Sequence, residues 1–116
     1  MFQNCSSLSE LDITNFDSRS VTNMSNMFAG CTNLSKLDMS RFDTRSATNM
    51  SGMFSQCNSL TTLDLRLFDT SNVTSMRSMF YRDSNLNTIY ASSSFVTNNV
   101  SNANSTNMFT SLSKIV

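Results

Sequence analysis

Histidine is absent from the 116-residue chain, and with it every Ser-His or Cys-His nucleophile pair. Glycine occurs only at Gly30 and Gly52, so neither a glycine-rich phosphate loop nor a G-x-S-x-G elbow is present. Acidic and basic residues balance at eight each, which leaves no electrostatic footprint for nucleic acid or an anionic membrane. No apolar run approaches the roughly 18 residues that cross a bilayer. No charged start followed by an apolar stretch marks a signal peptide. The three cysteines form no C-x-x-C pair, so the usual zinc ligand spacing is missing too.

What remains is a chain of one-domain length with 39% apolar residues, most of the rest being Ser, Thr and Asn. Taken alone that composition leans toward disorder, but zero net charge and nine Phe argue for a buried interior. The decisive feature is repetition. Met-Phe pairs start at Met1, Met27, Met53 and Met79, each 26 residues after the last. Leu8, Leu34, Leu60 and Leu86 keep the same step, as do Leu11, Leu37, Leu63 and Ile89. So do Phe16, Phe42 and Phe68, Met24, Met50 and Met76, and two aspartate columns, Asp12/Asp38/Asp64 and Asp17/Asp43/Asp69. The chain is a tandem array.

One 26-residue unit cannot bury its own apolar face, so like side chains are expected to stack on their copies in the next coil. Within a unit, Leu63-Asp64-Leu65 alternates as a half-buried strand does. Asp69 to Asn72 is turn material. The three-residue spacing of apolar positions from Val73 to Phe80 suits either a short strand or a turn of helix. The array divides into coils 1–26, 27–52 and 53–78, then a degenerate coil and C-terminal cap over 79–116. In that last coil Asp83 stands where Cys is expected, Tyr90 replaces the strand aspartate, and Met108-Phe109 comes 29 residues after Met79. At the other end Met1 is in register with Met27, which suggests a piece of a longer array.

The unit "LSKLDMSRFDTRSATNMSGMFSQC", Leu34 to Cys57, resembles the BspA-like leucine-rich-repeat family of bacterial surface proteins. The resemblance rests on Phe-Asp-Thr, Thr-Asn-Met and Met-Phe-x-x-Cys at fixed offsets, close over 1–80 and loose over 81–109. It implies a right-handed, leucine-rich-repeat-like solenoid of about four coils, with short parallel strands and short helical turns. It also implies an extracellular place on a bacterial cell surface, and adhesion or host interaction as the role. The partner would be a protein or glycan on a host or neighbouring cell, with no nucleic acid and no membrane insertion by this segment.

The columns offer three kinds of chemistry. Cys5, Cys31 and Cys57 form a ladder whose parallel Cβ directions strain a disulfide, so they are expected as small buried hydrophobes closing a corner. The aspartate columns must offset like-charge repulsion, either through a calcium ladder or by accepting hydrogen bonds within their own turns. The turn reading is preferred, with Arg19 and Arg45 two residues beyond Asp17 and Asp43. Carboxylate pairs such as Asp12 and Asp17 suit acid–base work, but a feature repeated three times reads as scaffold. No catalytic, cofactor or metal residue is therefore assigned, and no enzyme activity is expected. Recognition belongs to outer columns that vary between copies: Glu10/Lys36/Thr62/Thr88, Thr14/Ser40/Arg66/Ser92, Asn15/Arg41/Leu67 and Arg19/Arg45/Ser71. From these comes a candidate partner-binding patch of Arg41, Arg45, Arg66 and Tyr90. The competing role is a passive spacer that lifts another domain from the surface.

Overall fold

The computed structural model describes residues 2–101. Met1 and the end of the expected cap, with Met108-Phe109, lie outside the described residues. Four short strands follow one another: β1 (Glu10–Leu11), β2 (Lys36–Leu37), β3 (Thr62–Leu65) and β4 (Thr88–Ala91). Each pairs in parallel with residues one repeat away. Leu11 faces Leu37, and Leu63, Asp64 and Leu65 face Ile89, Tyr90 and Ala91. Single parallel bridges join Asn23 to Asn49 and Asn49 to Ser75. Strand alternation is clearest in β3, where Leu63 and Leu65 are buried while Thr62 and Asp64 face water. Pairing of repeat on repeat is what an exact sequence period favours, because it sets every apolar side chain against its own copy.

The interior runs along these columns. Phe2, Phe28, Phe54 and Phe80 stack nearly parallel, with centroids 5.8, 5.6 and 5.8 Å apart. Phe16, Phe42 and Phe68 pack edgewise or tilted against Phe2, Phe28 and Phe54. Leu34, Leu60 and Leu86, with Met24, Met50 and Met76, complete a single cluster.

Opposite the strands the chain makes no helix among the described residues. The short helical turns implied by the family resemblance are replaced by consecutive β-turns. Met24–Met27, Met50–Met53 and Met76–Met79 are each closed by an N–H to C=O bond three residues back. Phe2–Cys5, Phe28–Cys31 and Phe54–Cys57 close in the same way. The third residue of every one has positive φ: Asn26, Gly52 and Ser78 in the first set, Asn4, Gly30 and Gln56 in the second. That is the type II requirement. The intervening amides point outward to the next repeat. Met24, Asn26, Phe28 and Gly30 donate to the carbonyls of Asn49, Ser51, Met53 and Ser55 at 2.8–2.9 Å. Met50, Gly52, Phe54 and Gln56 do the same to Ser75, Arg77, Met79 and Tyr81. A helix would consume those amides internally, so the inter-repeat bonds exclude it. Met-x-x-Met and Phe-x-x-Cys are thus two turns in tandem, which explains the recurrence of the Met-Phe junction.

Glycine is required at Gly30 and Gly52 for a second reason. A Cβ there would collide with the side-chain oxygen of Asn4 or Asn26, in the repeat before.

A buried polar column ties the remaining corner. Thr44 Oγ1 accepts the Asp69 N–H at 2.9 Å and donates to the Asp69 carbonyl at 3.0 Å. Thr70 does the same to Val96, at 2.7 Å each way, and Ser18 Oγ accepts the Asp43 N–H at 2.8 Å. All three hydroxyl residues are buried. The Thr of the Phe-Asp-Thr motif is therefore an inter-repeat tie, because a buried backbone group left unpaired is costly.

Candidate functional site

All six aspartates of the two columns work inside their own turns. Asp12, Asp17, Asp38, Asp43, Asp64 and Asp69 each accept the backbone N–H two residues on, at 2.9–3.2 Å. Three also hold a guanidinium bidentately: Arg19 on Asp17, Arg45 on Asp43 and Arg66 on Asp64, with shortest contacts of 2.8, 2.6 and 2.7 Å. The Arg19 hydrogen bonds bring the Asp17 carboxyl down to about 2. Asp43 and Asp64 are held below the usual carboxylate range by Arg45 and Arg66. Hydrogen bonds from Thr14, Ser40 and Ser71 lower Asp12, Asp38 and Asp69. Among the described residues no group of three or more Cys, Asp or Glu is placed to hold a metal ion.

The cysteine column is internal. Cys31 and Cys57 are buried, Cys5 is half-buried, and all three are free thiols. The Cys31 thiol donates to the Phe2 carbonyl at 3.0 Å and that of Cys57 to the Phe28 carbonyl at 3.1 Å. Burial pushes both thiols up, away from the reactive thiolate. Asp83 occupies the same column and is fully buried. Its Oδ1 accepts the Cys57 N–H at 2.7 Å, while its Oδ2 is buried without a partner. Burial raises its carboxyl to about 7.

The candidate patch lies where the strand ladder is interrupted. β1 pairs with β2 and β3 with β4, but β2 and β3 do not form one sheet. A groove of about 310 Å³ opens there, lined by Leu37, Asp38, Met39, Ser40, Asp64, Arg66 and Leu67. A neighbouring depression of about 260 Å³ is lined by Ser40, Arg41, Phe42, Asp43, Arg45, Leu67 and Asp69. Arg41, Arg45 and Arg66 thus border adjoining hollows. Tyr90 joins through Arg66, whose guanidinium lies 5.7 Å from its ring centroid. Arg45 and Arg66 are committed to Asp43 and Asp64, whereas Arg41 forms no ion pair among the described residues.

Leu67 lines both hollows and is 67% exposed, the most exposed large apolar side chain of those described. It shares a variable outer column with Asn15 and Arg41 and is not one of the four residues expected in the patch. The signal was there, since an apolar residue sits at an outer position where the other copies are polar.

No described helix is long and apolar enough to cross a membrane. No curated protein and no solved structure matches the chain. A family profile matches residues 1–115, and the chain belongs to that family, described as "Mycoplasma protein of unknown function, DUF285".

Proposed function

We propose that the chain is a right-handed, leucine-rich-repeat-like solenoid segment of a bacterial surface protein. Its role is non-enzymatic recognition of a protein or glycan on a host or neighbouring cell. The observation that carries this reading is Leu67, exposed between two hollows bordered by Arg41, Arg45 and Arg66. Arg and Tyr are enriched at binding surfaces, and Leu67 adds exposed apolar area beside the three guanidinium groups. The parallel pairing of positions 26 residues apart supports the solenoid architecture. The resemblance of the repeat motif supports the surface location and adhesive role.

The test is a charge-reversal series, R41E, R45E and R66E, with L67D as a variant that breaks no ion pair. Each is probed on arrays of cell-surface proteins and glycans, with circular dichroism to show retained structure. Loss of the same spots in R41E and L67D supports the patch. Binding unchanged in all four removes it. The second reading, a passive spacer, is favoured by the self-contained pairing of Arg45 with Asp43 and Arg66 with Asp64. A spacer tolerates exchange of outer-face residues between repeats, whereas a recognition module loses binding at particular positions.

A further inference from the structure

Resting on the recognition role proposed above, we infer that the strand face binds an extended, uncharged glycan chain laid along the array, one sugar ring per repeat. The hollows on this face recur with the sequence period. Besides the groove of about 310 Å³ at Leu67, one of about 290 Å³ lies between the first two repeats, with Leu11, Asp12, Thr14 and Asp38 in its lining. Shifted by 26 residues, those positions are Leu37, Asp38, Ser40 and Asp64, all of which line the groove at Leu67. A second row follows the same rule. A hollow of about 340 Å³ contains Asn15, Asp17, Arg19 and Arg41, and the depression of about 260 Å³ contains their counterparts Arg41, Asp43, Arg45 and Leu67. The candidate patch is thus one step of a two-row surface.

Spacing selects among the polymers that could lie there. Parallel strands pair at about 4.8 Å, and the Phe rings of consecutive repeats stack 5.6–5.8 Å apart, so equivalent side chains return every ~5 Å. A chain of pyranose rings linked across the ring advances by one ring length per residue, which matches that step. An extended peptide presents the side chains of one face every ~6.6 Å, at about 3.3 Å per residue, and loses register along the row. A helix, at about 5.4 Å per turn, keeps pace but docks through an apolar groove. Among the described residues the exposed large apolar side chains are Phe16, Leu67 and Tyr90, too few to line one.

The chemistry of the row agrees. Each hollow beside the strands sets an apolar side chain, Leu11 or Leu37, next to hydrogen-bonding groups. That pairing matches the C–H face and hydroxyl edge of a sugar. Asp12 and Asp38 accept their turn N–H through Oδ1, and neither forms an ion pair among the described residues. The Oδ2 of each is left to accept a hydroxyl, a charge-assisted bond. The four hollows are lined by seven acidic residues, Glu10 and six aspartates, and five basic ones, Lys36 and four arginines. A slight excess of acid disfavours a polyanionic chain. The carboxylate column ends where Tyr90 takes its place, which fixes the length of the row.

The test is calorimetric titration of the full chain with β-1,4-linked glucose, mannose and N-acetylglucosamine oligomers, from monosaccharide to hexasaccharide. At least one series should bind, its affinity rising several-fold with each added ring until the chain spans both hollows of the strand row, then levelling. Asp12→Asn and Asp38→Asn keep the Oδ1 acceptor of their turns, so circular dichroism should not change. Each should weaken binding of the hexasaccharide by a similar several-fold factor. No binding in any series, or affinity independent of length, would overturn the inference. So would heparin binding more tightly than every neutral chain. An effect of Asp38→Asn with none from Asp12→Asn would reduce the row to a single pocket and overturn it as well. Protein spots lost in R41E and L67D while every oligosaccharide stays unbound would keep the recognition role and assign the face to a protein instead.

Discussion

The two sides of each repeat are held very differently. On the turn side, amides from Met24 to Gly30 and from Met50 to Gln56 carry bonds without interruption across three successive repeats. The stacked Phe rings run through all four Met-Phe junctions there. On the strand side the ladder splits into two pairs, and a groove opens between β2 and β3. Both sides repeat their inward residues and vary at their outer ones, so what separates them is the backbone pairing and not the strictness of the motif. A continuous column of bonds on one side lets the other carry Arg41, Arg66 and Leu67 with little cost to the stack.

The comparison breaks most visibly at Phe54, whose ring is sandwiched between Phe28 and Phe80. Phe54→Ala should cost about 3–5 kcal/mol, enough to unfold most of a chain this size, as read by denaturant titration.

Asp83 comes next. Its folded carboxyl, at about 7, retains a proton that the unfolded chain releases near its ordinary value of 3.8. Stability should therefore fall as pH rises through that window, by up to about 4 kcal/mol, with the full penalty above pH 7. Asp83→Cys restores the column residue, so it should raise the midpoint at pH 8 and flatten the pH dependence. A midpoint that climbs from pH 4 to 7 would contradict the burial of this carboxyl with its Oδ2 unpaired. The exposed Asp17, at about 2, pulls the other way: its pairing with Arg19 is present above its unfolded value and lost as pH falls toward 2. That effect should shrink with added salt, since the pair is solvated.

Thr44→Val sharpens the role of the buried hydroxyl column. It keeps the shape but strands the N–H and carbonyl of Asp69, at a cost of about 1–3 kcal/mol in chemical denaturation. Smallest of all is Leu67→Ser. With 67% of Leu67 exposed, it should shift stability by less than about 0.5 kcal/mol while removing any binding that uses the groove.

Much of this was readable from residue order. The columns that meet in the core, the alternation of Leu63 and Leu65, and the candidate arginines all follow from the 26-residue step. Other features were not. Positive φ falls on Asn4, Asn26, Gly30 and Gly52, which announce it, but also on Gln56, Ser78 and Arg82, which do not. Those positions become visible only once the neighbouring repeat fixes the direction of each amide. The tie made by Thr44 leaves no mark in the sequence, because its partner, Asp69, lies 25 residues away. Asp83 read as decay of the motif, and its burial depends on what packs around the fourth junction.

By itself the sequence determined the period, and with it which side chains lie against which, because identical units pack best on their own copies. Tertiary structure alone decided which amides turn inward to close a turn and which reach out to the next repeat. It also decided where the strand ladder is interrupted, between β2 and β3. Those choices depend on where the adjacent backbone lies, and no single 26-residue unit contains that information.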